Sequence, residues 1–188
     1  IDFILSQLFF LDILYKKKIT EFKNDITYRI PNEKYLYTFK KNSSFEATYN
    51  YEFANIDYLI NTNNLGLRDS SVRDLEKEKV YSIVIGDSFV EGTGLDYEDT
   101  LVSILNKKLN YKFFKKFEFL NAGVASYSPY IYKEKIKCLI NSNNWLNVNS
   151  VVILYDKSDV GDNLKYINKP KSFPTIKRKY KNLRKEKL

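Results

Sequence analysis

The sequence predicts an α/β domain with a parallel central sheet, and three observations carry that prediction. Strand-like runs recur at 81–86 (YSIVIG), 117–123 (FEFLNAG) and 150–156 (SVVILYD). Helix-period segments separate them. Each run also ends at a glycine or an aspartate that opens a polar loop. Strands alternating with helices at these spacings specify β-α-β units, which gather functional groups at the carboxyl ends of the strands.

Taken in order, the chain divides into three zones. In residues 1–78, the first fifteen (IDFILSQLFFLDILY) read as an amphipathic or buried helix. Asp2, Gln7 and Asp12 interrupt the stretch, which falls short of the roughly 20 apolar residues that span a bilayer. It lacks the basic start and small-residue cleavage site of a secretory signal. Period-two alternation around 35–39, 45–53 and 56–62 predicts short antiparallel strands, an elaboration packed against the main sheet. The segment NTNNLGLRD (61–69) is turn-rich, with Gly66 free to take a conformation costly for other residues.

Residues 79–164 hold the regular part. After strand 81–86 and the loop DSFVEGTGLDYED, a helix is expected near 98–109, with Leu101, Ile104, Leu105 and Leu109 along one face. A second helix should begin after Ser128 and Pro129, an N-cap residue and a residue suited to the first helical turn. Ser88, Gly123 and the 156–163 loop then converge on one sheet edge.

The third zone, 165–188, is a basic tail. It holds ten Lys or Arg and one acid, Glu186, whereas residues 1–164 sum to −1, so the formal charge of +8 belongs to the tail. The tail reads first as a solvated linker; an anionic membrane surface or nucleic acid would also attract it. No basic and aromatic interleaving in the body forms a nucleic-acid platform, and no nucleic-acid partner is expected. Cys138 is alone and reads as a buried thiol on a helix face.

Chemistry concentrates at Ser88. It comes after β-branched residues where a strand turns toward a helix, a geometry that can expose a hydroxyl at the top of a sheet. The alternative is that Asp87 or Ser88 only caps the helical turn. The chain contains no histidine, the usual activator of a serine. Gly86, Gly92 and Gly94 lack both the GxGxxG spacing and the lysine of a phosphate loop. The acids of DKSDVGDN match no specific cation loop, so neither metal nor organic cofactor is expected. Tyrosines between 28 and 58 read as sheet-packing residues before they read as a sugar platform.

Four segments together carry a family resemblance. Gly86-Asp87-Ser88-Phe89, continuing through Val90-Glu91-Gly92, resembles the first block of the SGNH or GDSL-type hydrolases, whose serine is the nucleophile. Asn64-Leu65-Gly66-Leu67-Arg68-Asp69 is similar to a segment that precedes this block in bacterial members, including some associated with polysaccharide acylation. Asn121-Ala122-Gly123-Val124 resembles the second block, whose glycine supplies an oxyanion N–H, and Tyr127-Ser128 is similar to the residues after that block in many members. The third block, ordinarily Gly-x-Asn-Asp, corresponds to Asp156-Lys157-Ser158-Asp159, which puts Ser158 at the oxyanion asparagine position, with Asn163 as a substitute.

The resemblance implies a three-layer, flavodoxin-like fold. It also implies a serine esterase that works through an acyl-enzyme on a small ester or acylated carbohydrate, with Ser88, Gly123 and Ser158 as its catalytic set. Asp87, Asn121, Arg68 and Asp69 would line the pocket. The alternatives are a polysaccharide O-acyltransferase and a non-catalytic envelope or carbohydrate-binding domain, and the location stays open between the cell envelope or periplasm and the cytoplasm. The family's last block, Asp-x-x-His, has no counterpart. A chain that begins with Ile1 and contains no Met reads as a piece of a longer protein, with the general base expected beyond Leu188.

Overall fold

The computed structural model describes residues 29–32, 34–51, 54–110 and 116–167. The expected N-terminal helix and the tail from residue 168 lie outside them. Strands β1 (Arg29–Pro31) and β2 (Tyr37–Phe39) form a small antiparallel ribbon. The other six strands form one open sheet: β3 (Ser44–Tyr51), β4 (Ala54–Thr62), β5 (Arg68–Asp69), β6 (Val80–Ile85), β7 (Phe117–Asn121) and β8 (Asn147–Ile153).

Their order across the sheet is β3-β4-β5-β7-β6-β8. The pairings β3/β4, β4/β5 and β5/β7 are antiparallel, and β7/β6 and β6/β8 are parallel. The sheet is therefore mixed rather than parallel. Its parallel half is the β-α-β part expected from the periodicity. Of the N-terminal strands, β3 and β4 continue that half edge to edge through β5, whereas the β1–β2 ribbon stands outside the sheet and packs on it, with Phe39 in the core and the Tyr37 hydroxyl donating to the Ala125 carbonyl. Two-residue β5 makes the join, with Arg68 opposite both Thr62 and Asn121.

Four helices accompany the sheet among the described residues: α1 (Ser88–Glu91), α2 (Leu101–Asn110), α3 (Pro129–Ser142) and α4 (Ser158–Ile167). Strand alternation sends β6 side chains to opposite faces. Val84 meets Val90 and Val102 on the α2 side, with Leu105 and Phe119 against them. Ile83 and Ile85 join the larger core with Leu120, Tyr127, Ile131, Tyr132 and Leu139 on the α3 side. The strand before Ser88 is thus gripped from both faces. α4 stands where a polar loop was expected; its inward side is polar, with buried Asp159 bonded to Tyr132 and half-buried Asn163 to the Tyr130 N–H of α3.

Local chemistry fixes the turns. At Gly66, φ is +73°, and a Cβ would lie 2.7 Å from the Phe39 carbonyl oxygen, so the turn between β4 and β5 requires glycine. Cys138 lies on α3, half-buried rather than buried. Among the described residues, β8 is hydrogen-bonded on one side only, to β6. Val152, Ile153, Leu154 and Tyr155 are exposed along it, next to exposed Val160, Leu164 and Ile167.

Candidate functional site

Ser88 is the first residue of α1, reached through Gly86 and Asp87 after β6 ends at Ile85. Asp87 is the N-cap and accepts the Phe89 N–H at 3.0 Å. Capping at this turn therefore belongs to Asp87. The Ser88 hydroxyl is half-buried and makes no side-chain hydrogen bond among the described residues. Its carbonyl closes the short helix by accepting the N–H groups of Gly92 and Thr93.

The turn is tight because its neighbours are close. A Cβ on Gly86 would strike the Val90 side chain and come within 3.0 Å of the Leu154 carbonyl. A Cβ on Gly123 would fall on the Glu91 backbone nitrogen and 2.6 Å from the Val90 carbonyl carbon. Only glycine lets the loop after β7 lie directly against α1. This brings Gly123 beside the helix that carries Ser88.

Buried polar groups lock that contact. Asn121, fully buried, donates to the Val90 carbonyl at 2.8 Å and accepts the Gly123 N–H at 3.1 Å. Glu91, also fully buried, takes two hydrogen bonds of 2.9 Å from Arg29 Nη2 and accepts the Ala125 N–H. Lys135 reaches from α3 to the Ala122 carbonyl at 3.1 Å, its ammonium 5.0 Å from the Tyr127 ring centroid. Arg68 donates to the carbonyls of Glu91 and Gly92 at 2.7 Å each, to Leu59 at 3.3 Å and to Leu95. Arg68 thereby holds the carboxyl end of α1, where unpaired carbonyls collect.

The remaining candidates are distributed differently. Arg68 and Asp69 are neighbours in an extended strand and part company. Asp69 accepts from Asn63 and Arg73 at 3.0 Å each and lines a separate polar cavity of about 400 Å³ with Arg73, Lys79, Tyr97 and Glu118. Ser158 opens α4, and its N–H and hydroxyl both bond Asp156 Oδ1 at 2.6 Å. Asn163 turns its Oδ1 to the Tyr130 N–H at 2.9 Å, so it caps α3 from a neighbouring helix. Ser128 occupies the N-cap position of α3 but makes no capping bond, and its buried hydroxyl has no partner among the described residues.

Carboxylates shape the electrostatics beside Ser88. Burial, and then the charges of Asp159 and Asp156, raise the Asp87 carboxyl above its usual range. Asp159 is buried; it accepts from Tyr132 at 2.9 Å and from the Asp156 N–H at 3.0 Å. Burial and the Asp159 carboxylate push the Tyr132 phenol up. No group of three His, Cys, Asp or Glu among the described residues is arranged to hold a metal ion.

Sequence reasoning does not find Glu91, Lys135 or Arg29 as parts of the site. Lys135 has a visible signal, since it shares the buried stripe of Ile131 and Leu139 at four-residue spacing. Arg29 has none, because its partner is 62 positions away.

The chain matches no family model, no curated protein and no solved structure. The chemistry of the site accordingly rests on its own geometry.

Proposed function

We propose that Ser88 is the nucleophile of an ester-cleaving centre in a three-layer, flavodoxin-like domain of the SGNH type. The observation that carries this reading is the packing of the Gly123 loop against the helix that begins with half-exposed Ser88, whose hydroxyl is uncommitted among the described residues. In this reading Ser88 Oγ attacks the carbonyl of a carboxylic or O-acetyl ester, including esters on carbohydrate, and forms an acyl-enzyme. The negative charge developing on the carbonyl oxygen is met by backbone N–H groups of Ser88 and Gly123.

Each expected donor has a present commitment to weigh. The Gly123 N–H faces Asn121 Oδ1 and would be shared or released as charge develops. Ser158 would have to give up its bond to Asp156, which makes it the weakest member of the set. The 188 residues contain no histidine to take the serine proton, a role that the resemblance assigns to the histidine of an Asp-x-x-His block. Water as acyl acceptor gives hydrolysis, and a sugar hydroxyl gives acyl transfer through the same intermediate.

A fluorophosphonate probe tests the reading on the full-length protein, with the adduct mapped by mass spectrometry. Labelling of Ser88 that disappears in Ser88→Ala is the expected result. A folded full-length protein that takes up no probe at Ser88 removes the nucleophile assignment.

A further inference from the structure

Lys135 is a buried cation that the proposed chemistry does not use, and its placement is specific. It is 1% exposed, and its Nζ lies 3.1 Å from the carbonyl oxygen of Ala122. That carbonyl and the Gly123 N–H belong to one peptide unit. A cation bonded to a peptide oxygen draws electron density through the amide and makes its N–H a stronger donor, because linked hydrogen bonds polarise one another. Low dielectric around a fully buried group enlarges the effect.

We propose that Lys135 is a positioning residue that orients and polarises the Ala122–Gly123 peptide, so that the donor strength of the Gly123 N–H tracks the charge on Lys135. The consequence for catalysis rests on the Ser88 reading; the coupling between Lys135 and Gly123 does not.

Several groups face Lys135. Glu91 from α1 favours its charge, and Arg29 from β1 opposes it. The Tyr127 ring lies against the ammonium, with Tyr37 packed behind at 5.7 Å between ring centroids. Glu91 is already shared between Arg29 and the Ala125 N–H, so it offsets only part of the cost of burying a second cation. Burial accordingly brings the Lys135 ammonium down to about 7. No histidine titrates there, and the Lys135→Met variant separates the Lys135 signal from that of Asp87, whose carboxyl burial raises above its usual range.

The test is selective ¹⁵N-glycine labelling, which gives six backbone amides to monitor from pH 5.5 to 8.5. The Gly123 amide should move along a one-proton curve centred near 7. The signal of Gly161, which has open space around it, should stay still. Lys135→Met should flatten the Gly123 curve, and Lys135→Arg should hold the shift near its low-pH value throughout. A Gly123 signal that does not titrate in the folded wild type overturns the coupling, and the wild-type measurement decides this even if both variants fail to fold. A Gly123 curve unchanged in folded Lys135→Met overturns it equally. Either result leaves probe labelling of Ser88 untouched, while a titrating Gly123 beside an unlabelled Ser88 removes the esterase reading alone.

Discussion

A buried lysine ties one residue to the pH dependence of the whole fold. Its ammonium titrates near 7 in the folded chain and at an ordinary 10.5 when unfolded. Between those values the unfolded chain binds the extra proton, so stability rises with pH across the window, by up to about 1.4 kcal/mol per pH unit. Below 7 both states are protonated, and the full cost of burying the charge is present. Tyrosines act in the opposite sense at higher pH. Burial raises Tyr35 and Tyr166 to about 12, so the stability they contribute is present below 10 and is lost as pH climbs through their folded values. Urea denaturation at pH 7.0 and 9.5 should show wild type gaining stability at the higher pH, and Lys135→Met gaining much less.

At the scale of elements, the helix behind the site is capped from outside its own sequence. The Tyr130 N–H at the start of α3 is satisfied by Asn163 of α4, while Ser128 at the N-cap position contributes no bond. Replacing an effective cap residue by alanine costs about 1 kcal/mol. Asn163→Ala should therefore destabilise the protein by about that amount. Ser128→Ala should be neutral or slightly stabilising, since it removes a buried hydroxyl that has no partner among the described residues. Thermal or chemical denaturation of the two variants side by side distinguishes this arrangement from ordinary capping by Ser128, which would reverse the order. The same bond docks α4 onto α3 and fixes where the chain runs after β8.

At the scale of the whole molecule, the sheet has one edge with an apolar character that open sheets usually avoid. Among the described residues β8 has no partner on its outer side, where Val152, Ile153, Leu154 and Tyr155 are exposed. Such an edge templates pairing with other chains, and a lysine on it is a common protection. Ile153→Lys should lower concentration-dependent self-association of the 188-residue chain, measured by sedimentation velocity or light scattering. Unchanged association would locate the contact elsewhere.

What the sequence determined by itself is local. Hydrophobic periodicity placed the described strands other than the short β1 and β5, and the main helices, to within a few residues, because a two-residue or 3.6-residue repeat is a property of neighbours along the chain. Ser88 at the turn after β6 and glycine at 66 were legible for the same reason, since tight backbone geometry restricts residue type on the spot, whereas Gly123 is required by the close approach of α1 and was singled out through the family resemblance. The segment 156–163 reads as a loop because it is polar, and the helix docks on α3 through polar residues, Asp159 to Tyr132 and Asn163 to Tyr130, whose partners no local pattern names. The tertiary structure alone decided the mixed sheet, the carbonyl-binding role of Arg68, the departure of Ser158 and Asn163 to Asp156 and α3, and the clamp of Glu91 and Lys135 on the Gly123 loop. Each depends on contacts between segments distant in sequence, as with Arg29 and Glu91. Burial there forces every charge to find a partner, and a linear pattern does not name which one.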